Sequence, residues 1–194
     1  CDVLLIAACP RRHINCGLAQ RPSPGITGGF ILERLGVFWM ELVQYGFYKV
    51  KDQYFSDFPN KRHMYNKSEN RPYYLAVQES DGIVWLIPIS SKVDKYKAKI
   101  SKDESTFGEC ITAHIIKFMN EERAVLIGNM IPITEDYIKG EFTITEHHYI
   151  VKDRNAIKAI KKRASRYLSL VKAGKMRPAV DILKIEKQLR ENMK

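Results

Sequence analysis

Apolar residues in this chain first follow the alternating pattern of β-strands and later recur at helical spacing. The segments with strand-like composition cover residues 44–50, 73–80, 83–90, 109–118, 123–133 and 140–145. Helical periodicity predicts one or two turns over 51–58 and longer helices over 153–173 and 177–192. Because strands come first and long helices last, the pattern predicts an α+β fold in which a curved antiparallel sheet packs against C-terminal helices.

Two polar segments interrupt this pattern. Residues 59–72 are rich in Asn, Lys and Pro and predict a long loop, which in a compact domain often has a function. The lysine-rich segment 92–105 is compatible with a loop or with a short helix. These two segments flank the strands 73–80 and 83–90, so both are expected near the same end of one strand pair.

Asp81-Gly82 separates those two strands and is a strong signal for a two-residue hairpin turn. Pairing about such a turn matches Ser80 with Ile83 and places Ser91 opposite residue 72. Arg71, at the start of the first strand, is therefore expected to return beside the hydroxyl pair at the end of the second.

The stretch Ser90-Ser91-Lys92 has the chemistry to bind a phosphate. Pro88 removes a donor from the ladder, so the side chains beyond it leave the regular sheet. Two hydroxyls can donate to phosphate oxygens, and Lys92 together with Arg71 can neutralise their charge. The alternative is structural, since serines are common in exposed turns and an arginine can simply bind a backbone carbonyl.

The predicted helix 153–173 has one apolar and one basic face. Ile157, Ile160, Ala164 and Leu168 recur at helical spacing, and Gly174 stands where a helix end favours a left-handed residue. The opposite face carries Arg154, Lys158, Lys161 and Lys162 at positions i, i+4, i+7 and i+8. Such a face can follow a phosphate backbone or can be merely solvated.

Net charge supports the first of these two interpretations. The chain has 194 residues and a formal charge of +10. Residues 149–194 contain 14 Lys and Arg but only 4 Asp and Glu, whereas acidic and basic residues balance in the rest of the chain. An excess of positive charge confined to one quarter of the sequence is typical of proteins that bind nucleic acid.

The first 39 residues differ from the remainder. They contain three of the four cysteines and no clear periodicity, and a clean start appears at Met40 just before the first strand. We therefore expect residues 1–39 to be upstream sequence read through in frame or a disordered extension. Residues 40–194 are expected to form a single domain.

Sequence motifs for metals and cofactors do not appear. The spacing of Cys1, Cys9, Cys16 and Cys110 fits no zinc pattern, and the adjacent pair His147-His148 cannot supply two ligands from one helix face. Neither a P-loop nor a dinucleotide-binding glycine motif is present. We expect no metal, no small-molecule cofactor and no membrane span, and the cytoplasm is the simplest compartment.

Five stretches in the same order resemble one protein family. They are FYKVKDQYF, NRPYYLAV, WLIPISSK, AVLIGNMIPI and LVKAGKM. Together they resemble the toxin component of type III toxin–antitoxin systems, the ToxN/AbiQ family, and most closely its CptN-like branch. The resemblance implies a curved sheet with a barrel-type core similar to Kid/MazF toxins. It also implies a metal-independent endoribonuclease that cuts single-stranded RNA and leaves 2′,3′-cyclic phosphate ends.

The resemblance further implies partners and site residues. The inhibitor would be an RNA antitoxin of pseudoknot repeats that encloses the toxin in a closed assembly, and the biological role would be abortive infection of phage. The implied catalytic set is Tyr54, Arg71, Ser90, Ser91 and Lys92. The residues expected to bind RNA are Lys95, Lys97, Arg154, Lys158, Lys161, Lys162 and Arg166.

Individual roles follow from the chemistry of RNA cleavage. Ser91 would hold the 2′-hydroxyl or help to deprotonate it, and Ser90 would support it by hydrogen bonding. Arg71 and Lys92 would stabilise the phosphorane, while Tyr54 would orient the phosphate or an unstacked base. The alternative function is a non-catalytic RNA-binding module or regulator, in which the same groups bind phosphate without cutting it.

Overall fold

A computed structural model describes residues 41–193 of the protein. The expected start at Met40 and the segment 1–39 lie outside the described residues. The strands are β1 (Phe47–Val50), β2 (Tyr73–Gln78), β3 (Val84–Ser90), β4 (His114–Phe118), β5 (Glu121–Val125), β6 (Ile131–Ile133), β7 (Ile138–Glu141), β8 (Thr143–Ile144) and β9 (His147–His148). The α-helices are α1 (Asp52–Asp57), α2 (Val93–Phe107), α3 (Arg154–Lys172) and α4 (Ile182–Asn192).

Seven strands form one antiparallel sheet in the order β4-β5-β3-β2-β1-β7, and β6 pairs with β3. This confirms the α+β class with an antiparallel sheet and C-terminal helices. The barrel-type, Kid/MazF-like core is not confirmed, because β4 and β7 end the order and do not pair among the described residues. A curved sheet closes only when its two edge strands meet.

Strand β3 lies at the centre of the fold. All seven of its residues are buried, and its partner on one side is β2. On its other side it pairs with β6 through Val84–Leu86 and with β5 through Ile89 and Ser90. The single strand expected over 123–133 is therefore wrong: a 3₁₀ turn at Ile127–Asn129 separates two strands that share one neighbour.

The hairpin between β2 and β3 forms, but its expected register is wrong. The loop contains three residues, because the Glu79 amide donates to the Ile83 carbonyl at 2.8 Å. Gly82 has a left-handed backbone with φ of 89°, as the last residue of a three-residue hairpin loop requires. A bulge at Ala76 then shifts the pairing again, so that Leu75 faces Leu86.

The new register changes which residues meet at the strand end. The Ile89 amide donates to the Pro72 carbonyl at 3.4 Å, so residue 72 faces Ile89 and not Ser91. Arg71, one residue earlier, is thereby brought alongside the end of β3. The expected convergence of Arg71 with this strand end holds, although the pairing that predicted it does not.

Helix α3 packs on the sheet through the apolar stripe that the sequence predicts. Its buried residues include Ile160, Ala164, Tyr167 and Val171, and its side-chain cap is Asp153, which accepts from the amides of residues 155 and 156. Gly174 has the expected left-handed backbone, with φ of 69°. The stripe joins α3 to the same apolar core as β1, β2 and β3.

Three other boundaries differ from the sequence expectations. The segment 92–105 forms a full helix, α2, which has no buried residue and ends at the left-handed Gly108. The strand expected over 109–118 begins only at His114, and α4 begins at Ile182 after its cap Asp181, well beyond Pro178. Within the described residues, no helix is both long and apolar enough to cross a bilayer.

Candidate functional site

Ser90, Ser91 and Lys92 connect β3 to α2. The Ser90 side chain is buried, with 8% of its surface exposed, and its hydroxyl accepts a hydrogen bond from the Lys92 amide at 3.2 Å. Ser91 and Lys92 are exposed, and among the described residues the Ser91 hydroxyl has no hydrogen-bond partner. Ser90 therefore shapes the turn, while Ser91 and Lys92 present a hydroxyl and an ammonium group to solvent.

Arg71 is held against this turn by two backbone carbonyls. Its Nη1 donates to the Ile89 carbonyl at 2.7 Å and its Nε donates to the Tyr65 carbonyl at 2.6 Å. The residue is 7% exposed. Its Nη2 makes no hydrogen bond within residues 41–193 and is not fully buried. Part of the guanidinium thus fixes the backbone, and the remainder is available to an anion.

Loop 59–72 carries Arg71 to this position through an unusual backbone. Lys67, Ser68 and Glu69 have φ values of 55°, 52° and 63°, three consecutive non-glycine residues in the left-handed region. Each such residue costs roughly 1 kcal/mol or more. Glu69 offsets part of this cost by accepting from the Asp52 amide at 2.7 Å and pairing with Lys139 at 2.6 Å. Strain of this kind is common at functional sites.

We expect Arg71→Ala to destabilise the protein by about 2–4 kcal/mol, because it leaves two carbonyls without their charged donor. Arg71→Lys should lose less, since a lysine can satisfy one carbonyl but cannot donate to both in the planar geometry of a guanidinium. Arg62→Ala, at an exposed position of the same loop, is the control. Denaturant unfolding measures all three, and equal stability of the Arg71→Ala and Arg62→Ala proteins would contradict this role.

Tyr54 lies beneath this region and not on its surface. Its ring is fully buried and packs edge-on against Phe55 and Tyr137 at centroid distances of 5.1 and 5.5 Å. Burial raises the pKa of Tyr54 well above its ordinary value, with a contribution from nearby Tyr73. The phenol is therefore neutral near pH 7 and, with the ring in this position, cannot touch RNA. The structure thus favours a supporting position for Tyr54 over direct contact with a phosphate.

Three buried polar atoms that lack a partner among the described residues gather around Tyr54 and Arg71. They are the Tyr54 hydroxyl, the Tyr73 hydroxyl and Asn66 Oδ1. The Asn66 amide nitrogen donates to the Val50 carbonyl at 2.9 Å. Burial raises the pKa of Tyr73, and the nearby Arg71 charge offsets part of that effect. Most buried polar groups in native proteins have a partner, so these three atoms distinguish the region from the rest of the described core.

Replacing Tyr54 with phenylalanine should raise the free energy of unfolding by about 1–2 kcal/mol, because the ring stays and an unpaired buried hydroxyl is removed. Tyr48→Phe is the matched control, and this substitution should lower the free energy of unfolding. The Tyr48 hydroxyl is paired: it accepts from the Val43 amide at 2.6 Å and donates to the Val43 carbonyl at 3.1 Å. Thermal unfolding compares the two, and loss of stability in both would show that Tyr54 has a hydrogen-bond partner after all.

Sequence reasoning overlooked Tyr65, Asn66 and Tyr73. Tyr65 is 74% exposed beside the Arg71 guanidinium, a position in which its ring can stack on a base. Its signal in the sequence was an aromatic residue within an otherwise polar loop. Asn66 and Tyr73 had no such signal, because what distinguishes them is the burial of a polar atom, which the local sequence does not reveal.

The predicted RNA-binding residues separate into free and paired groups. Arg154, Lys158, Lys161 and Lys162 are exposed on α3 and form no ion pair among the described residues. Arg166 pairs with Glu109, and Lys97 pairs with Glu122 at 2.6 Å. Lys95, on α2, is exposed and lies 5.8 Å from the centre of the Tyr96 ring. The four free residues of α3, called the basic face below, are the strongest candidates for phosphate contacts.

The sequence matches no family profile and no curated protein. Several solved chains match this fold, and two of them are the following. ToxN, from a bacterial antiviral system that a processed non-coding RNA regulates, aligns with a TM-score of 0.54 and 17% identity over 75% of this chain and 98% of its own. AbiQ, a lactococcal anti-phage endoribonuclease of a type III toxin–antitoxin system, aligns with a TM-score of 0.58 and 12% identity over 77% of this chain and 98% of its own. The resemblance drawn from the motifs is confirmed in the fold.

Proposed function

We propose that this protein is an endoribonuclease toxin that cuts single-stranded RNA at the end of strand β3. The observation that carries the proposal is the position of Arg71, whose guanidinium is fixed by the Ile89 carbonyl beside the exposed Ser91 and Lys92. A cation, an exposed hydroxyl and a second cation thus share one turn. The fold shared with AbiQ, itself an anti-phage endoribonuclease, supports the same activity.

The proposed reaction is an internal transfer within the RNA. The 2′-oxygen of one nucleotide attacks the adjacent phosphorus, its proton is removed, and the bond from phosphorus to the 5′-oxygen breaks. The 5′-oxygen takes up a proton, which leaves a 2′,3′-cyclic phosphate and a 5′-hydroxyl. No water is consumed in this step, and the proposed reaction is independent of metal.

Each side chain of the turn has a role that its environment permits. Ser91, with an exposed hydroxyl, holds the 2′-hydroxyl in place by hydrogen bonding. Arg71 and Lys92 stabilise the charge that develops on the phosphorane, an electrostatic contribution that is usually the largest in such reactions. Ser90 supports the turn through the Lys92 amide, and Tyr54 acts as a positioning residue beneath loop 59–72.

The same proposal includes a regulator and a biological role. The basic face of α3 would hold a folded RNA antitoxin of pseudoknot repeats, which would enclose the toxin in a closed hetero-oligomer. The toxin would act in the cytoplasm on messenger RNA and abort phage infection. Both neighbours come from anti-phage systems, and ToxN from one that a non-coding RNA regulates, which supports this part of the proposal.

A non-catalytic RNA-binding protein is the second candidate. It is favoured by the observation that Arg71 and Ser90 already satisfy backbone groups, as a purely structural turn would require. Such a protein would bind RNA through the basic face and leave it intact.

Cleavage chemistry separates the two candidates. The purified protein is incubated with an end-labelled, unstructured RNA in excess EDTA, and the ends of the products are identified by mass. We expect fragments that carry 2′,3′-cyclic phosphate and 5′-hydroxyl ends. Tight binding of RNA that stays intact would instead establish the second candidate.

A further inference from the structure

A pocket of about 310 Å³ lies between helix α2 and the connection from α3 to α4. One wall carries Tyr96 and Lys99 of α2, and the other carries Met176 and Arg177. Leu126, directly before the 3₁₀ turn, and Asn129, its last residue, also line it. Its volume falls at the lower end of the range for small-ligand pockets, so it suits a group about the size of a nucleobase or a nucleoside.

The first turn of α2 links the pocket to the proposed cleavage site. The Tyr96 amide donates to the Lys92 carbonyl at 3.4 Å, so Tyr96 lies four residues, a rise of about 6 Å, beyond Lys92. Tyr96 and Lys99 are three residues apart on α2 and therefore share one side of the helix, which begins directly after Lys92. Tyr96 thus lies close enough to the turn for one RNA strand to contact both.

The lining has the mixed character that an unpaired base requires. Leu126, Met176 and the Tyr96 ring offer apolar and aromatic surface, whereas the Lys99 ammonium donates to Thr112 Oγ1 at 2.9 Å and forms an ion pair with Asp103 at 2.5 Å. The Tyr167 hydroxyl is already bonded to the Gly128 carbonyl at 3.2 Å and closes the floor.

Several polar groups of the lining remain available. Within the described residues, the side chains of Asn129 and Arg177 and the Tyr96 hydroxyl have no hydrogen-bond partner. Two charged residues line the pocket: Lys99 is paired with Asp103, and Arg177 has no acidic partner among the residues that the structure describes. The pocket thus combines stacking surface, an amide that can read a base edge and one cation, Arg177, that can attract the adjoining phosphate.

We infer that this pocket binds one unpaired nucleobase of an RNA strand, next to the nucleotide that is cut. The inference rests on the proposed function and adds to it a subsite outside the turn at Ser90–Lys92. The stacking surface is Tyr96, the amide of Asn129 contacts the base edge, and Arg177 holds the phosphate. Residues of α2 and of the α3–α4 connection then determine which base the protein prefers beside the cleaved bond.

The test uses a labelled single-stranded RNA of about 12 nucleotides, long enough to cover one single-strand binding groove, in which one nucleotide at a time is abasic. Binding is measured by fluorescence anisotropy with full-length Ser91→Ala protein, which keeps the RNA intact. One or two abasic positions should weaken binding roughly five- to a hundredfold, the usual contribution of one stacked base. In the double variant with Tyr96→Leu, the penalty at one of these positions should disappear.

The matched control is Phe107→Leu, which removes a 76% exposed ring from the other end of α2 and should leave the penalty unchanged. Asn129→Ala should reduce the loss of binding at the same abasic position, although this substitution lies outside α2. An abasic penalty that is equal in all variants, or absent at every position, would overturn the inference even if wild-type protein cleaves RNA. Absence of both RNA binding and cleavage in wild-type protein would overturn the proposed function together with the inference.

Discussion

Ser91→Ala should lower the rate of RNA cleavage by a factor on the order of 10² or more, with little effect on folding. The side chain is exposed, and its hydroxyl has no partner among the described residues, so its removal leaves the packing of the fold unchanged. If this hydroxyl acts on the 2′-hydroxyl in the transition state, the loss appears in the cleavage step. Binding of the folded RNA antitoxin should stay nearly intact. Single-turnover cleavage and equilibrium binding measure the two effects separately.

Two control variants test whether the loss of cleavage is specific to the Ser91 hydroxyl. Ser101→Ala removes an exposed hydroxyl from α2, away from the turn, and should cleave like wild type. Ser90→Ala removes the hydroxyl that accepts from the Lys92 amide, and should lower both stability and cleavage because the turn itself loosens. A Ser91→Ala protein that is folded and cleaves at the wild-type rate would exclude Ser91 from the reaction.

Changing Lys158, Lys161 and Lys162 together to Gln should weaken binding of the folded RNA antitoxin more than it slows cleavage of a short RNA. The three side chains are exposed on α3, which is a separate element from the turn that carries Ser91. A folded RNA presents many phosphates across a broad surface, whereas a short substrate needs chiefly the turn. The slope of log affinity against log salt should become shallower by about 0.7–0.9 for each phosphate that the variant no longer neutralises.

A second triple variant controls for net charge. Changing Lys175, Lys184 and Lys187 to Gln removes the same charge from positions outside α3 and should have a smaller effect on the salt slope. In cells, the α3 variant should be hypertoxic, because inhibition fails before cleavage does. Equal loss of binding and cleavage would mean that the basic face lines the cleavage groove, and no change in either would mean that the basic face is only solvated.

Local patterns in the sequence predicted the elements but not their junctions. The stripe through Ile160 and Ala164 predicted α3 because its spacing repeats along the whole helix. The hairpin register failed because it depends on the left-handed Gly82 and on a bulge at Ala76, neither of which alters the alternation of apolar residues. Whether the sheet would close depended on the distance between β4 and β7, a long-range property that no local pattern contains.

In the candidate site, too, the sequence predicted local features but not those that depend on distant residues. Adjacent hydroxyls before a lysine were visible in the sequence, and the hairpin brought Arg71 to them despite the wrong register. The sequence did not show which side chains are buried. In the structure, Tyr54 lies beneath the loop, and two nitrogens of Arg71 donate to backbone carbonyls. Pairing was not visible either, since Arg166 and Lys97 have acidic partners from distant segments. Such facts depend on residues far apart in the chain.

Replacement of a single 2′-hydroxyl is the sharpest test of cleavage by internal transfer. The position of the cut is mapped on an unstructured RNA, and the same RNA is then made with one 2′-deoxynucleotide on the 5′ side of the cut. We expect cleavage at that bond to stop in the presence of EDTA, while other cut sites in the same molecule are still cleaved. Continued cleavage at the 2′-deoxy position, or RNA that stays intact at every site with wild-type protein, would refute this mechanism.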